Sequence, residues 1–512
     1  MKNLKINWHI SLAFVFGVIL VFGFSPFRIW PLGLIVPAAL FLLFYRKSPK
    51  QAFWIGFAFG MGEFGFGTSW VYVSLAHYGN GVVLAALITL LFTLLLALFP
   101  ALQCWLTQKL FSLDYFAQNT SKRGGMERRP SDMRNEMSMM EVLHDLPKVR
   151  CSYRINKWQC LLVYPLLWLG FELIRSTLFT GFPWLLLGYT QTFSWLAGYA
   201  KLGSVFLVSW VTVFLSILIL LCFKEKLWGK IISLFFIVAI VVGGWALRQH
   251  QFTHPLTEKP VQVALVQGNI SENEKWQPGA LPEILKTYAD LTGPVLNTSL
   301  IVWPENSIPA LPQDVMGFID SLDNSTKALG SAVVFGIPIE NTINKTYFNG
   351  ALAMGDAKGM YLKQHLVPFG EYLPLPELFG PVFNLFHIPM SNFSPGPDHP
   401  YPLHIHGLSV RVFICYESAY PFLFRQAADA AYVITMSDDA WFGRSLGPYQ
   451  HEEMEVMRAI ETGRPILRAT NTGVTSIIDQ NGRVLKKAPM FTAFVLKGSI
   501  EPVTGETPWL RM

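Results

Sequence analysis

The chain has 512 residues, of which 52% are hydrophobic and only 14% charged. A polypeptide this apolar is excluded from the ordinary soluble enzymes of its length, so an integral membrane protein is the first inference. The net charge of +6 is modest and sits in loops between apolar segments, which implies no nucleic-acid partner.

A span needs roughly 20 mostly apolar residues to cross a hydrocarbon core of about 30 Å. Seven segments qualify, at approximately 8–25, 29–45, 52–76, 82–107, 158–174, 203–222 and 229–247. The first follows Lys2 and Lys5 but lacks a small-x-small cleavage site, because Phe24, Pro26 and Phe27 are bulky, and it reads as an uncleaved anchor. Basic residues are retained on the cytoplasmic side. With the N-terminus inside, the inner segments carry Lys2, Lys5, Arg46, Lys47, Lys50, ten basic residues from Lys109 through Lys157, and Lys224, Lys226 and Lys230. The outer connections hold only Arg28, Arg175 and Lys201. Residues 1–250 are thus expected to form a membrane domain of about seven helices with a solvated cytoplasmic loop at 111–157. An odd number of crossings places everything after Leu247 outside the cytoplasm. Glu63 and Glu172 lie in spans, where a carboxylate faces protein or water; Arg175 is a helical partner for Glu172, and Glu63 has none in the sequence.

Residues 258–503 read as one outer α/β domain, followed by a short tail at 504–512. Strands are expected at Val261 to Gln267, Ser299 to Trp303, Ala332 to Ile339, Leu408 to Tyr416, Ala431 to Met436 and Ile466 to Thr470. Helices fit Pro282 to Leu291, Asp314 to Leu329, Tyr420 to Ala428 and Glu452 to Thr462. Apolar strands separated by helices indicate sheets covered by helices. About 240 residues suffice for one such core. The five cysteines are Cys104, Cys151, Cys160, Cys222 and Cys415. Only Cys415 falls in the outer domain, so a disulfide framework there is excluded.

Three stretches put reactive groups at the edges of strand-like runs. Cys415 ends an apolar run and precedes Tyr416 and Glu417. A thiol becomes a nucleophile when a base removes its proton or a cation stabilises the thiolate. Glu305 closes Leu300-Ile301-Val302-Trp303-Pro304, where desolvation suits a general base that accepts and later returns a proton. Lys363 precedes the fixed turn His365-Leu366-Val367-Pro368-Phe369-Gly370-Glu371 and is a candidate for holding an oxyanion, with Glu371 orienting its ammonium. His399, His404 and His406 cluster without a completing carboxylate or thiol at familiar spacing, so no metal and no cofactor is expected. Phosphate-cradling glycine patterns are absent. The segment 378–397, which has no Asp, Glu, Lys or Arg and contains Phe379, Phe383, Phe386 and Phe393, reads as a lid or part of an acyl channel.

These residues resemble the nitrilase, or carbon-nitrogen hydrolase, superfamily and, more narrowly, the bacterial apolipoprotein N-acyltransferases. The likeness rests on Ser69-Trp70-Val71-Tyr72-Val73-Ser74 and Gly181-Phe182-Pro183-Trp184 in the membrane half. In the outer half it rests on Val266-Gln267-Gly268-Asn269, Lys275-Trp276, Trp303-Pro304-Glu305-Asn306, the turn after Lys363, Ile414-Cys415-Tyr416-Glu417, Asp439-Ala440-Trp441-Phe442-Gly443 and Arg468-Ala469-Thr470-Asn471-Thr472-Gly473. The resemblance implies a multi-pass α-helical membrane domain joined to an α-β-β-α sandwich. It implies Glu305 as base, Lys363 as oxyanion stabiliser and Cys415 as nucleophile, an ionised sulfur facing the outer leaflet. Glu371, Tyr416 and Glu417 would support them, and Trp276 would sit on a mobile arm at the substrate entrance. The implied substrates are a membrane phospholipid as acyl donor and diacylglyceryl apolipoproteins as acceptors, on the periplasmic side of a bacterial inner membrane. The chain departs from the family at Asp438, where Asn is usual, and in ending at Met512 where relatives usually add a transmembrane helix. A membrane-tethered amidase acting on a soluble amide, and a non-catalytic lipid-binding receptor or transporter, are the alternatives.

Overall fold

A computed structural model describes residues 8–77, 81–123, 157–374, 377 and 392–512. The membrane half contains α1 (Trp8–Val21), α2 (Pro31–Phe44), α3 (Pro49–Gly67), α4 (Trp70–His77), α5 (Val82–Arg123), α6 (Lys157–Thr177), α7 (Ala200–Lys224) and α8 (Leu227–Gln249). Among the described residues four helices are long and apolar enough to cross a membrane: Val82–Ser112, Cys160–Thr180, Trp195–Lys224 and Leu227–Gln249. Trp8–Val21 and Pro31–Phe44 are shorter apolar helices that coincide with the first two expected segments. α1 and α2 have 14 residues each, which at 1.5 Å per residue gives about 21 Å. The expected segment 52–76 divides at Thr68, whose hydroxyl bonds back to Phe64 O at 2.7 Å. The glycines at 60, 62, 65 and 67 weaken that end of α3. They also allow close packing: a Cβ on Gly62 would lie 2.2 Å from Phe14 O of α1, and one on Gly56 2.3 Å from Pro100 O of α5.

The outer half is built from two sheets. One runs β14-β2-β3-β4-β5-β7, with β2 (Val261–Gln267), β3 (Leu300–Val302), β4 (Ala332–Asn341), β5 (Thr346–Gly355), β7 (Met360–Leu362) and β14 (Phe494–Ile500). The other runs β13-β12-β11-β10-β9-β8-β6, with β6 (Ala357–Lys358), β8 (Leu403–Ile405), β9 (Leu408–Ile414), β10 (Tyr432–Ser437), β11 (Ile466–Thr470), β12 (Ser476–Ile478) and β13 (Val484–Lys487). Val263, Val302, Val334, Val412, Ile434 and Leu467 fill the space between the sheets. Amphipathic helices α10 (Leu281–Thr292) and α11 (Met316–Ala328) cover the first sheet through Ile284, Tyr288, Ile319 and Leu322. α12 (Gly447–Thr462) covers the second, which completes an α-β-β-α sandwich. β1 (Thr253–Pro255) pairs with β15 (Val503–Gly505), and the short α13 (Pro508–Arg511) follows with Trp509 and Leu510 buried.

α12 is buried on every face except at Tyr449, because its outer side rests on the membrane half. Gln450 accepts the Trp184 indole N–H at 2.6 Å and donates to Gly67 O at 3.0 Å. Glu453 accepts from Ser25 N and Oγ at 3.1 and 3.0 Å. Glu461 accepts from Ser204 Oγ at 2.9 Å and Val205 N at 2.7 Å. The two halves are joined by this polar seam rather than by a spacer.

The expected helix at Tyr420 to Ala428 is instead a 3₁₀ stretch at Leu423–Asp429, preceded by a separate 3₁₀ turn at Cys415–Ala419. The expected strand ending at Tyr416 stops at Ile414, because Cys415 turns the chain. Most of 378–397, including Phe379, Phe383 and Phe386, and the loop beyond Arg123 lie outside the described residues.

Candidate active site

The C-terminal ends of β3, β7, β9, β10 and β11 meet at one edge of the sandwich, where open α/β sheets present side chains. β9, β10 and β11 are parallel neighbours, so Cys415, Asp438 and Asn471 each follow their strand at that same edge. Glu305 arrives from β3 and Lys363 from β7. Gly336 of β4 makes room for the Glu305 turn: a Cβ there would lie 2.5 Å from Pro304 O and 2.7 Å from Glu305 Cα.

Cys415 has φ +53°. A non-glycine residue in that left-handed region stores on the order of 1–3 kcal/mol and persists only where its surroundings hold it. Here the 3₁₀ turn lifts the side chain off the strand and leaves it partly exposed. Glu417 fixes both sides of the turn. Its Oε2 accepts from Ile414 N at 2.6 Å, and its Oε1 from Gln364 N at 2.7 Å and His365 N at 3.0 Å. Tyr361 adds its hydroxyl at 2.8 Å. One buried carboxylate thus ties the residue before Cys415 to the residues after Lys363. Burial pushes this carboxyl up to about 7, and its backbone donors oppose that rise.

Lys363 is buried, with Nζ 3.3 Å from Glu305 Oε1 and 3.0 and 2.9 Å from the two oxygens of Glu371. Asn349 on β5 bridges the same carboxylates, donating to Glu305 Oε1 at 2.7 Å and Glu371 Oε1 at 2.8 Å. Glu305 Oε2 accepts from Asp438 N at 2.8 Å. Burial works against the Lys363 ammonium, but Glu305 and Glu371 outweigh it and hold the group above its ordinary value, with Cys415 also within its electrostatic reach.

Burial raises the Cys415 thiol well above its ordinary value; Glu305 adds to the rise and Lys363 opposes it. The net direction favours the thiol over the thiolate. The thiol is in hydrogen-bond contact with Ser437, whose hydroxyl donates to Asp439 Oδ1 at 2.8 Å.

A second cluster lies beneath the turn. Arg468 donates to Asp439 Oδ2 at 2.6 Å and to Glu455. His451 Nε2 lies 3.0 Å from Cys415 O and its Nδ1 3.2 Å from Asp439 Oδ1. A carbonyl only accepts, so Nε2 carries a proton. Gly473 permits this packing, since a Cβ there would lie 2.2 Å from Asp439 Oδ2.

The turn also touches the membrane half. Tyr416 and Tyr420 donate their hydroxyls to Gly181 O at 3.1 and 2.9 Å. Trp276 follows α9 (Glu272–Lys275) and is half exposed, with its indole N–H on Glu272 Oε1 at 2.8 Å. Among the described residues no group of three metal-ligating side chains occurs; both ring nitrogens of His406 are engaged, by Asp356 and Ser299 O.

Residues 262–508 match the carbon-nitrogen hydrolase family, and residues 16–122 and 137–218 match the apolipoprotein N-acyltransferase N-terminal domain. An apolipoprotein N-acyltransferase of Coxiella burnetii is 39% identical over 503 residues, covering 98% of this chain and 95% of that protein. The chain belongs to the apolipoprotein N-acyltransferase family. Another apolipoprotein N-acyltransferase, from Pseudomonas paraeruginosa, is 36% identical over 510 residues, covering 98% of this chain and 91% of its own. Among solved structures, Saccharomyces cerevisiae Nit3, a member of branch 10 of the nitrilase superfamily, is 18% identical with a TM-score of 0.37, covering 48% of this chain and 91% of Nit3. As an apolipoprotein N-acyltransferase family member the chain is an acyltransferase with a carbon-nitrogen hydrolase domain.

Sequence reasoning missed Asn349, His451 and Glu455 as neighbours of the site. Asn349 carries one usable signal, a polar residue in the run Phe348-Asn349-Gly350-Ala351 that enters the sheet interior. His451 and Glu455 lie four apart on α12, which puts them on one face of a helix.

Proposed function

We propose that this chain moves an acyl chain from the sn-1 ester of a membrane phospholipid to the α-amine of the diacylglyceryl-cysteine of apolipoproteins, through a thioester on Cys415. The observation that carries this reading is the position of Cys415. Its strained turn sits beside a Glu-Lys-Glu cluster and is bonded through Tyr416 to the membrane half, where both substrates would be held by their lipid chains.

Glu305 takes the thiol proton as sulfur attacks the ester carbonyl, and the Lys363 ammonium stabilises the charge that develops. The ester C–O bond breaks, the glycerol oxygen takes the proton from Glu305, and lysophospholipid leaves. The neutral acceptor amine then attacks the thioester. Glu305 takes its proton, the C–S bond breaks, and the proton returns to sulfur. Glu371 and Asn349 hold Lys363 and Glu305 in register, and Glu417 holds the turn. We place the sandwich on the periplasmic side of the inner membrane, because the basic residues of the connections lie with the N-terminus. Trp276 would contact the entering lipids.

The test is intact-mass measurement after exposure to phospholipid vesicles. A fatty-acyl adduct that is absent in Cys415→Ala and is discharged by a diacylglyceryl-cysteine peptide is the expected result. Turnover of soluble amides with no adduct from phospholipid would establish the amidase alternative instead.

A further inference from the structure

A buried ion cluster that the steps above do not use binds the α9 segment to the site. Lys275 is 2% exposed, touches Asp438 Oδ2 and lies 3.6 Å from Glu272 Oε2. Asp438 in turn gives its backbone N–H to Glu305 Oε2 at 2.8 Å. Asn471 braces this point, donating to Asp438 Oδ1 at 3.1 Å and Ile270 O at 2.7 Å while accepting from Ile270 N at 3.0 Å. One residue beyond Lys275, the exposed Trp276 is bonded to Glu272 at 2.8 Å. An unbroken series of contacts therefore runs from the surface at Trp276, through Glu272, Lys275 and Asp438, to an oxygen of Glu305.

A buried ammonium stripped of its partner costs several kcal/mol, so Lys275 stays in place only with a carboxylate beside it. Burial opposes its charge, yet Asp438 and Glu272 outweigh burial and hold it above its ordinary value, with Glu305 adding to the effect. The acid at 438, where an amide was expected, turns an ammonium–amide hydrogen bond into an ion pair.

We propose that Lys275 is a positioning residue for acyl transfer. Its ammonium clamps Asp438 so that the Asp438 amide holds Glu305 in its working orientation, and it links that orientation to the seating of the Trp276 segment. The proposal rests on the reading of Glu305 as the base.

The test uses the full chain in detergent, with the burst of p-nitrophenolate from a p-nitrophenyl ester as the measure of Cys415 acylation. Hydrogen exchange of segments 268–280 and 436–442 is followed in parallel. Lys275→Met is expected to slow the burst on the order of 10²-fold, as misplacement of a reacting group does, with the half-saturating ester concentration changed less than about 3-fold. Exchange should quicken in both segments. The neutral pair Lys275→Gln/Asp438→Asn, which keeps a hydrogen bond at the same place, should recover most of the rate, and it carries the test if Lys275→Met does not fold. Faster exchange confined to 268–280 with an unchanged burst, or a folded neutral pair as slow as Lys275→Met, overturns the proposal. A wild-type chain without any burst would sink the reading of Cys415 as nucleophile and leave the exchange coupling still measurable.

Discussion

Two charge clusters meet at Cys415 with the same stoichiometry and different neighbours. Beside the sulfur one buried ammonium, Lys363, is shared by Glu305 and Glu371. Beneath the turn one guanidinium, Arg468, is shared by Asp439 and Glu455. The lower cluster is fully sealed, and the Arg fork engages each carboxylate through a separate nitrogen while Nε bonds Val474 O at 2.9 Å. Such planar, saturated bonding suits a fixed brace, whereas an ammonium is a compact point charge. The upper cluster faces a partly exposed sulfur that both its base and its cation sense. Charge count therefore does not separate the reactive cluster from the supporting one; the presence of an unsaturated, reachable neighbour does.

The comparison breaks if both clusters respond alike to mutation. Glu305→Gln is the largest expected effect on rate. It should slow acylation ~10³-fold or more, in the upper part of the range for loss of a general base, while lowering stability by only about 1–3 kcal/mol, because the Gln oxygen can still accept from Lys363 and Asn349 at the place of Oε1 but its amide nitrogen leaves the Asp438 N–H without an acceptor. Arg468→Met should do the reverse. It strands two sealed carboxylates, and unfolding should fall by about 3–5 kcal/mol, the cost of breaking a buried pair. Denaturant titration beside the adduct assay reads both, and an inactive yet fully stable Arg468→Met would collapse the distinction.

Asn349→Ala sharpens the contrast within the upper cluster. Each carboxylate loses one donor, so acylation should fall by about 10-fold, in line with a lost hydrogen bond to a charged group of 1.5–3 kcal/mol only part of which is felt in the transition state. An unchanged acylation rate in a folded Asn349→Ala would show that Lys363 alone keeps the two carboxylates in place.

Much of this was legible in the chain. The β2, β3, β4, β9, β10 and β11 strands are apolar runs, and two of the triad candidates, Glu305 and Cys415, stand just beyond two of them, while Lys363 follows the short β7. What the sequence could not show is where pattern and burial part company. α10 and α11 have the half-apolar periodicity of a surface helix, while α12 carries Glu452, Glu453, Glu455, Arg458 and Glu461 and is nonetheless buried, because the membrane half supplies its partners from residues such as Ser25, Trp184 and Ser204. The short strands β6, β7 and β8 are two or three residues long and have no period to read. The span at 52–76 was over-extended because hydropathy is blind to four glycines softening a helix end.

Glu453 offers the gentlest test, since it is sealed like the lower cluster but has no cation within ion-pair distance among the described residues. Its partners are the Ser25 amide and hydroxyl at the seam between the halves. Burial raises its carboxyl from the ordinary 4.5 to about 8, with the Ser25 bonds and Arg28 opposing. Between those values the folded chain holds a proton that the unfolded chain has released. Stability from this group is thus fully present below about pH 4.5 and is lost as pH rises through 8. Glu453→Gln keeps the acceptor for Ser25 and cannot ionise, so its thermal midpoint should match wild type near pH 5 and exceed it increasingly toward pH 9. If the two midpoints track each other across that range, the seam holds Glu453 as a carboxylate, and the carboxylates of the seam and of the upper cluster differ less than their surroundings suggest.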